Sequence, residues 1–333
     1  MIRSFAFTNS GKLHSRDMEV FLMPTLLADT NLFLWVDLED STPEEAKQIL
    51  EGVFHFHPLT VEDCLNESHS PKVESYEPKE DDRFAPFLFM VIHAVDFNRQ
   101  DGLFDTRELN FFLGRNFLVT YHNVRLNCIQ EVEERCLRGT VHVARAPDRV
   151  AHALLDSLVD NYKPALEQLG LQIAELEEKV LRKPAPETFE DILRIKKEII
   201  HLRRIIGPQR EVLSRFARGE FKLVRAHLVP YYRDIYDSLF QIAEFAQGYA
   251  DSVSNLLQIY LNMSSNRTSE VVKVLTMITI ITTPATLIAS WYGMNFIDSM
   301  PELHKPYGYL YAIILTVVST LLTVLYFWRK KWL

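Results

Sequence analysis

Hydrophobic positions follow different rhythms in different parts of this chain. Up to about residue 140 they fall in short dense runs: LFLWVDL (32–38), FLFMVIHAVDF (87–97) and LNFFLGRNFLVTYH (109–122). These runs are aromatic and β-branched, and turn formers such as Asn98, Asp101 and Gly102 bound them, so they predict strands. STPEEAKQILEGV (41–53) opens on a capping residue with a proline near the first helical position, which predicts a helix. EPKEDDRFAP (77–86) reads as a solvated loop. From about Asp148 the spacing becomes helical. DRVAHALLDSLVDNYKPALEQLGLQIAELEEKVLRK predicts a helix kinked at Pro164, and PAP (184–186) a turn. ETFEDILRIKKEIIHLRRIIGPQREVLSRFARG returns as a second helix, broken near Gly207 and Pro208. The two make an antiparallel, solvated hairpin with a charged tip.

Beyond Pro230 no proline occurs until Pro284, and Gly248 is the only glycine between them. A helix from Tyr231 to Tyr292 would be about 90 Å long, roughly three times the hydrocarbon thickness of a bilayer. It carries two stripes. The apolar one is Ile235, Leu239, Ile242, Ala246, Tyr249, Val253, Leu256, Tyr260 and Met263, with steps alternating four and three as in a heptad seam. The polar one is Asp251, Asn255, Gln258, Asn262, Ser265, Ser269, Val272, Thr276, Thr279, Thr283, Thr286 and Ser290 in the same rhythm, broken in polarity only at Val272. VVKVLTMITIITTPATLIASWY (271–292) and YGYLYAIILTVVSTLLTVLYFW (307–328) are each long enough to span a bilayer. Lys273 can snorkel at the entry, and Pro284 is tolerated where neighbouring groups satisfy the freed carbonyl.

Hydroxyls in a span can simply bond back to their own helix or hold helices together. A strict heptad register of five of them favours a water-facing edge instead. Two helices cannot enclose water, so several copies would surround an axis with this edge inward. Basic residues set orientation. Arg267 and Lys273 precede the first span, and Arg329, Lys330 and Lys331 follow the second. The connecting loop has Lys305 beside Asp298 and Glu302. Both termini are therefore expected in the cytoplasm and the loop outside.

The fold class expected is an α+β cytoplasmic domain plus a helical hairpin and a very long stalk helix that continues into the first of two C-terminal transmembrane helices. The divisions are 1–140 (α/β domain), 141–229 (hairpin), 230–292 (stalk and first span), 293–306 (external loop), 307–328 (second span) and 329–333 (basic tail). At 333 residues the length allows about two domains. Acids outnumber Lys and Arg by 44 to 36, a net charge of −8 that argues against a nucleic-acid partner and for cation enrichment. Cys64, Cys128 and Cys136 have no metal-type spacing and read as packing residues in a reducing compartment. The first residues lack the apolar core of a secretory signal.

At YGMNF…MPEL the chain resembles the CorA family of divalent-cation channels. The match rests on Gly293-Met294-Asn295 with Tyr292 and Phe296 beside it, MPEL (300–303) and the basic KKWL tail. HPLTVEDCLN (57–66), SPKVE (70–74), VPYYRDIYD (229–237) and SNRTSEVVKVLT (265–276) are similar to family segments in the same order. The resemblance implies a homopentamer in the lipid bilayer of the cell inner membrane. The long helix would line the pore, the second span would form an outer ring, and the tripeptide would form the selectivity filter at the periplasmic mouth. The cargo implied is Mg²⁺, with Co²⁺ and Ni²⁺ as further substrates. Mg²⁺ dehydrates reluctantly, and a ring of Asn295 carbonyls can bond to its water shell without replacing it. Gly293 can take a sharp exit from the helix. Asp298 and Glu302 can draw cations to the mouth.

The resemblance also implies regulation by cytoplasmic Mg²⁺ bound between neighbouring subunits, with Asp63 and Asp234 as ligands, Asp156 near them and Glu62 beside Asp63. Facing carboxylates would repel until a divalent ion bridges them. The chain departs from the family at Gln258 and Thr283, where Asp and Met are common, and at Ser290, where glycine is. Its external loop is one residue longer. Val272 and Leu275 remain as the hydrophobic constriction. Two other readings stay open: a Zn²⁺ transporter of the same superfamily, proton-coupled, with His55, His57 and His304 as weak zinc options; and a membrane-tethered scaffold or enzyme, for which the chain has no nucleophile constellation, P-loop or dinucleotide motif.

Overall fold

The structure, a computed structural model, describes residues 1–66, 70–79, 83–98, 103–138, 143–182, 185–294 and 305–330. It contains two compact units, Met1–Leu257 and Gln258–Leu333.

The first unit is built on a mixed seven-stranded sheet of order β2-β1-β3-β7-β6-β5-β4. Its strands are β1 (Ile2–Thr8), β2 (Leu13–Arg16), β3 (Leu32–Glu39), β4 (Lys72–Tyr76), β5 (Phe87–Asn98), β6 (Leu103–Gly114) and β7 (Phe117–His122). Among the described strands only β3 and β7 run parallel. The predicted run 109–122 is in fact parts of two strands, because Arg115 and Asn116 turn the chain and β6 and β7 pair antiparallel.

Helices α1 (Met23–Ala28), α2 (Pro43–Lys47) and α3 (Pro58–Leu65) join the core on one face of the sheet. That core includes Leu34, Val36, Phe54, Phe56, Phe87, Phe89, Phe112 and Phe117. Helix α2 begins where the sequence predicts. The Thr42 hydroxyl accepts from the Glu45 amide at 3.3 Å while the Glu45 carboxylate accepts from the Thr42 amide at 3.1 Å, a reciprocal cap. The following residues Gln48–Val53 widen into a π-turn. Phe84, within the segment read as a solvated loop, is buried against Phe87 and His57, because an aromatic ring gains more by entering this cluster than by staying in water.

Helices α4 (Asn127–Leu137), α5 (Pro147–Asp160), α6 (Tyr162–Arg182) and α7 (Pro186–Ala217) complete this unit together with the first part of α8 (Val229–Tyr292). Helix α5 packs on β3, β5, β6 and β7, α6 on β5, and α7 on β4, β5 and β6. The expected kink at Pro164 is instead a break at Asn161, which leaves Pro164 in the first turn of α6, where a missing N–H costs nothing. The expected break at Gly207 and Pro208 does not occur. Buried Leu202, Ile205, Ile206, Gln209 and Val212 hold α7 through the proline. The helix stops at Gly219, whose φ of +70° closes it in a left-handed turn. The α8 seam residues Ile235, Leu239, Ile242, Ala246, Val253 and Leu256 are buried.

The second unit holds the rest of α8 and α9 (Gly308–Arg329). Helix α8 runs unbroken for 64 residues with Pro284 inside it.

Candidate functional site

The apolar part of α8 has distinct sides. At roughly 100° per residue, Met277, Ile281, Pro284, Ala285 and Ile288 share one side, and these are shielded, Met277 almost wholly. On α9 the shielded residues are Gly308, Ala312, Thr316, Ser319, Thr320, Thr323, Val324 and Phe327. This mostly small face suits close helix approach. Thr276, Thr279, Thr283, Thr286 and Ser290 of α8 are all exposed and centre roughly 165° from the shielded side. Gln258, Asn262, Ser265, Ser269, Val272 and Leu275 are exposed as well.

The threonine hydroxyls are oriented by their own helix. Thr276 donates to the Val272 carbonyl at 2.8 Å, Thr279 to Leu275 at 2.9 Å, Thr283 to Thr279 at 2.6 Å and Thr286 to Thr283 at 2.9 Å. Each hydroxyl hydrogen is thus committed, and the lone pairs remain to accept. The α9 hydroxyls of Thr316, Ser319 and Thr323 likewise donate to carbonyls of their own helix.

At the end of α8, the Gly293 amide still bonds the Ala289 carbonyl at 2.9 Å. Among the described glycines positive φ occurs at Gly11 and Gly219 and not at Gly293, so the chain leaves the helix at Gly293 without a left-handed turn there. Met294 is exposed. Asn295, Asp298, Glu302 and His304 lie outside the described residues.

The acids expected to sense cations divide into two groups within one chain. Glu62 and Asp63 lie on α3, and the Asp63 carboxylate is bound by the Lys72 ammonium. Asp156 lies on α5 and Asp234 on α8. Burial raises the Asp156 carboxyl above its ordinary range, helped by the negative charges of Asp160 and Asp234 and opposed by His152 and Arg135. The His152 imidazole is itself pushed down by burial and packs edge-on against Tyr231 and Tyr232. Sequence reasoning misses Lys72 and His152 as site neighbours, because contacts across separate elements leave no periodic signal.

Among the described residues one cluster has metal-type donors: Asp37, Glu39 and His122. Its centre already holds cations. Arg3 reaches Asp37 and Glu39 at 2.7 Å and Glu133 at 2.8 Å. His122 is 3.1 Å from Asp37 through Nε2 and 2.6 Å from the Val124 carbonyl through Nδ1. The weak zinc candidates are used structurally. His55 Nδ1 meets the Glu51 carbonyl at 2.8 Å, and His57 Nδ1 accepts the Leu59 amide at the start of α3.

Among the described residues two helices are long and apolar enough to cross a membrane, α9 and the long α8 that bears the exposed hydroxyl edge, the build of an integral membrane protein. Residues 31–331 match the model of the CorA-like Mg²⁺ transporter family, and the chain belongs to that family. The cobalt/magnesium transport protein CorA of Thermotoga maritima is 35% identical over 92% of this chain and 85% of its own length. The complete structure of the CorA magnesium transporter from Methanocaldococcus jannaschii superposes with a TM-score of 0.82 at 22% identity, covering 99% and 98% of the two chains. The cytoplasmic domain of ZntB from Vibrio parahaemolyticus shares the fold at a TM-score of 0.56 and 17% identity, over 71% of this chain and 88% of its own. As a member of the CorA family the chain is a divalent-cation transporter of the membrane and not an enzyme.

Proposed function

We propose that the chain assembles as a homopentamer that takes up Mg²⁺, and also Co²⁺, through a water-filled pore lined by α8. The observation that carries this reading is the exposed hydroxyl edge of α8, turned away from the side that is shielded. Around a five-fold axis that edge would face inward and the small face of α9 would hold an outer ring. The name of the T. maritima relative supports both ions, and Ni²⁺, another divalent cation that carries a water shell, would enter by the same mouth.

The wall chemistry fits a cation that keeps its water. Waters bound to Mg²⁺ point their hydrogens outward, so the wall must accept. Thr276, Thr279, Thr283 and Thr286 present lone pairs because their hydrogens are tied to carbonyls. Gly293, Met294 and Asn295 form the filter, where carbonyl dipoles bind the hydrated ion weakly enough to release it. Asp298 and Glu302 raise cation concentration outside it. Val272 and Leu275 close the pore by dewetting. With both termini in the cytoplasm of the inner membrane, a negative-inside potential drives uptake by about 4.6 kcal/mol per divalent ion at 100 mV. The division into cytoplasmic domain, hairpin, stalk, external loop and second span follows the same orientation.

Regulation uses the acids. Mg²⁺ bridging Asp63 of one copy to Asp234 of the next, with Glu62 and Asp156 adjoining, would hold the subunits together and the pore shut.

Flux into proteoliposomes with Mg²⁺, Co²⁺, Ni²⁺ and Zn²⁺ in competition, with and without a pH gradient, tests the reading. Mg²⁺ uptake should ignore the pH gradient, and Asn295→Ala should lower it at least about tenfold with assembly intact. Uptake that follows the proton gradient and prefers Zn²⁺ would replace this proposal with the zinc reading.

A further inference from the structure

Asp63 is held by its own chain. Lys72, the first residue of β4, places its ammonium on the Asp63 carboxylate and 3.3 Å from Glu74 Oε1. The same ammonium stands 5.5 Å above the Phe89 ring. Tyr76 donates its hydroxyl to Glu74 at 2.7 Å, which fixes the second carboxylate beside the pair. The Asp63 and Lys72 side chains each keep 29% exposure, so the pair is partly accessible to solvent.

We propose that Lys72 is a tethered cation that competes with divalent ions for Asp63 and so raises the internal Mg²⁺ concentration at which the transporter closes. The inference rests on the reading of Asp63 as a regulatory ligand. A divalent ion that reaches Asp63 must first displace an ammonium held by two carboxylates and an aromatic face. The ammonium carries one charge and is attached, so its local concentration is fixed. Mg²⁺ carries two charges, and it prevails only when abundant. Without Lys72, Asp63 and Glu74 would repel each other and take Mg²⁺ at lower concentration.

The test uses the full chain in liposomes, with two readouts: the internal Mg²⁺ that halves flux, and the Mg²⁺ that half-protects the protein from protease. Lys72→Met should lower both midpoints roughly three- to fivefold, the size of one partly exposed ion pair. Lys72→Gln, which keeps a polar head group, should shift them in the same direction. Lys72→Arg keeps the pair and should stay within about twofold of wild type. In an Asp63→Ala background, Lys72→Met should have no further effect. If Asp63→Ala alone leaves both midpoints unchanged, the regulatory reading of Asp63 fails. If Asp63→Ala weakens closure but Lys72→Met does nothing, the competition is refuted and Asp63 stands. An equal Lys72→Met shift with and without Asp63 also refutes it, since that is a general field effect.

Discussion

At the residue scale, His122 shows how a buried charge is set by geometry. Its Nδ1 faces the Val124 carbonyl and its Nε2 faces Asp37. Both partners accept, so the ring must carry both protons. Burial alone would depress the imidazole, but the hydrogen bond and charge of Asp37 raise it above its ordinary value. Burial would raise Asp37, yet His122, Thr120 and Arg3 together lower it. The signs are opposite. A raised His122 stabilises the fold fully below its unfolded value of about 6.5 and loses that contribution as pH climbs through the folded value. The lowered Asp37 contributes above its unfolded value and loses that contribution as pH falls through the depressed one. Thermal stability of the detergent-solubilised chain should therefore decline as pH rises above the ordinary histidine value of about 6.5. His122→Asn should cost about 3 kcal/mol near pH 6 and remove that alkaline decline; a variant that declines like wild type would show that His122 is not the buried cation. None of this network is legible in the sequence. Arg3, Asp37, His122 and Glu133 come from β1, β3, β7 and α4, and only the sheet order brings them together.

At the element scale, the sheet is completed by helices where strands run out. Strand β4 pairs with β5 only as far as Val91. Beyond it the His93 amide donates to Gln209 of α7 at 3.0 Å, and the His93 carbonyl accepts from Tyr162 of α6 at 2.8 Å. Gln209 is 1% exposed and Tyr162 fully buried. An unpaired amide there would cost the whole desolvation penalty. Gln209→Leu should destabilise the chain by about 1–3 kcal/mol, and Tyr162→Phe by a similar amount, as read by denaturant unfolding. A neutral Gln209→Leu would mean that water satisfies the amide. Dense aromatic runs make β3 and β5 readable in the sequence, and cap chemistry makes α2 readable. The strands β2 and β4 and the helix α3 are too short for a period to show, whereas α4 carries a helical period at Cys128, Ile129, Val132 and Cys136. The continuity of α7 through Pro208 depends on burial against the sheet, which a local rule for proline cannot register.

At the scale of the whole molecule, the long helix is legible in the residues alone. The absence of breakers between Pro230 and Pro284 and the unbroken four-three rhythm are properties of the string itself. So are the two apolar spans. The filter and the regulatory acids are legible only through the GMN resemblance, since Asp63, Asp156 and Asp234 are ordinary acids by composition. The structure adds the direction of the hydroxyl edge, opposite to the shielded side of the same helix. On that direction the whole permeation account depends. It is tested most directly by substituting Thr279→Cys, Thr283→Cys and Thr286→Cys one at a time in the assembled, bilayer-embedded protein and treating each with a membrane-impermeant thiol reagent. Cys64, Cys128 and Cys136 are buried and give little background. The account predicts that all three positions react and that reaction blocks Mg²⁺ flux, while Leu315→Cys on the exposed side of α9 does neither. Unreactive cysteines at 279, 283 and 286, with flux untouched, would place the edge against lipid and contradict it.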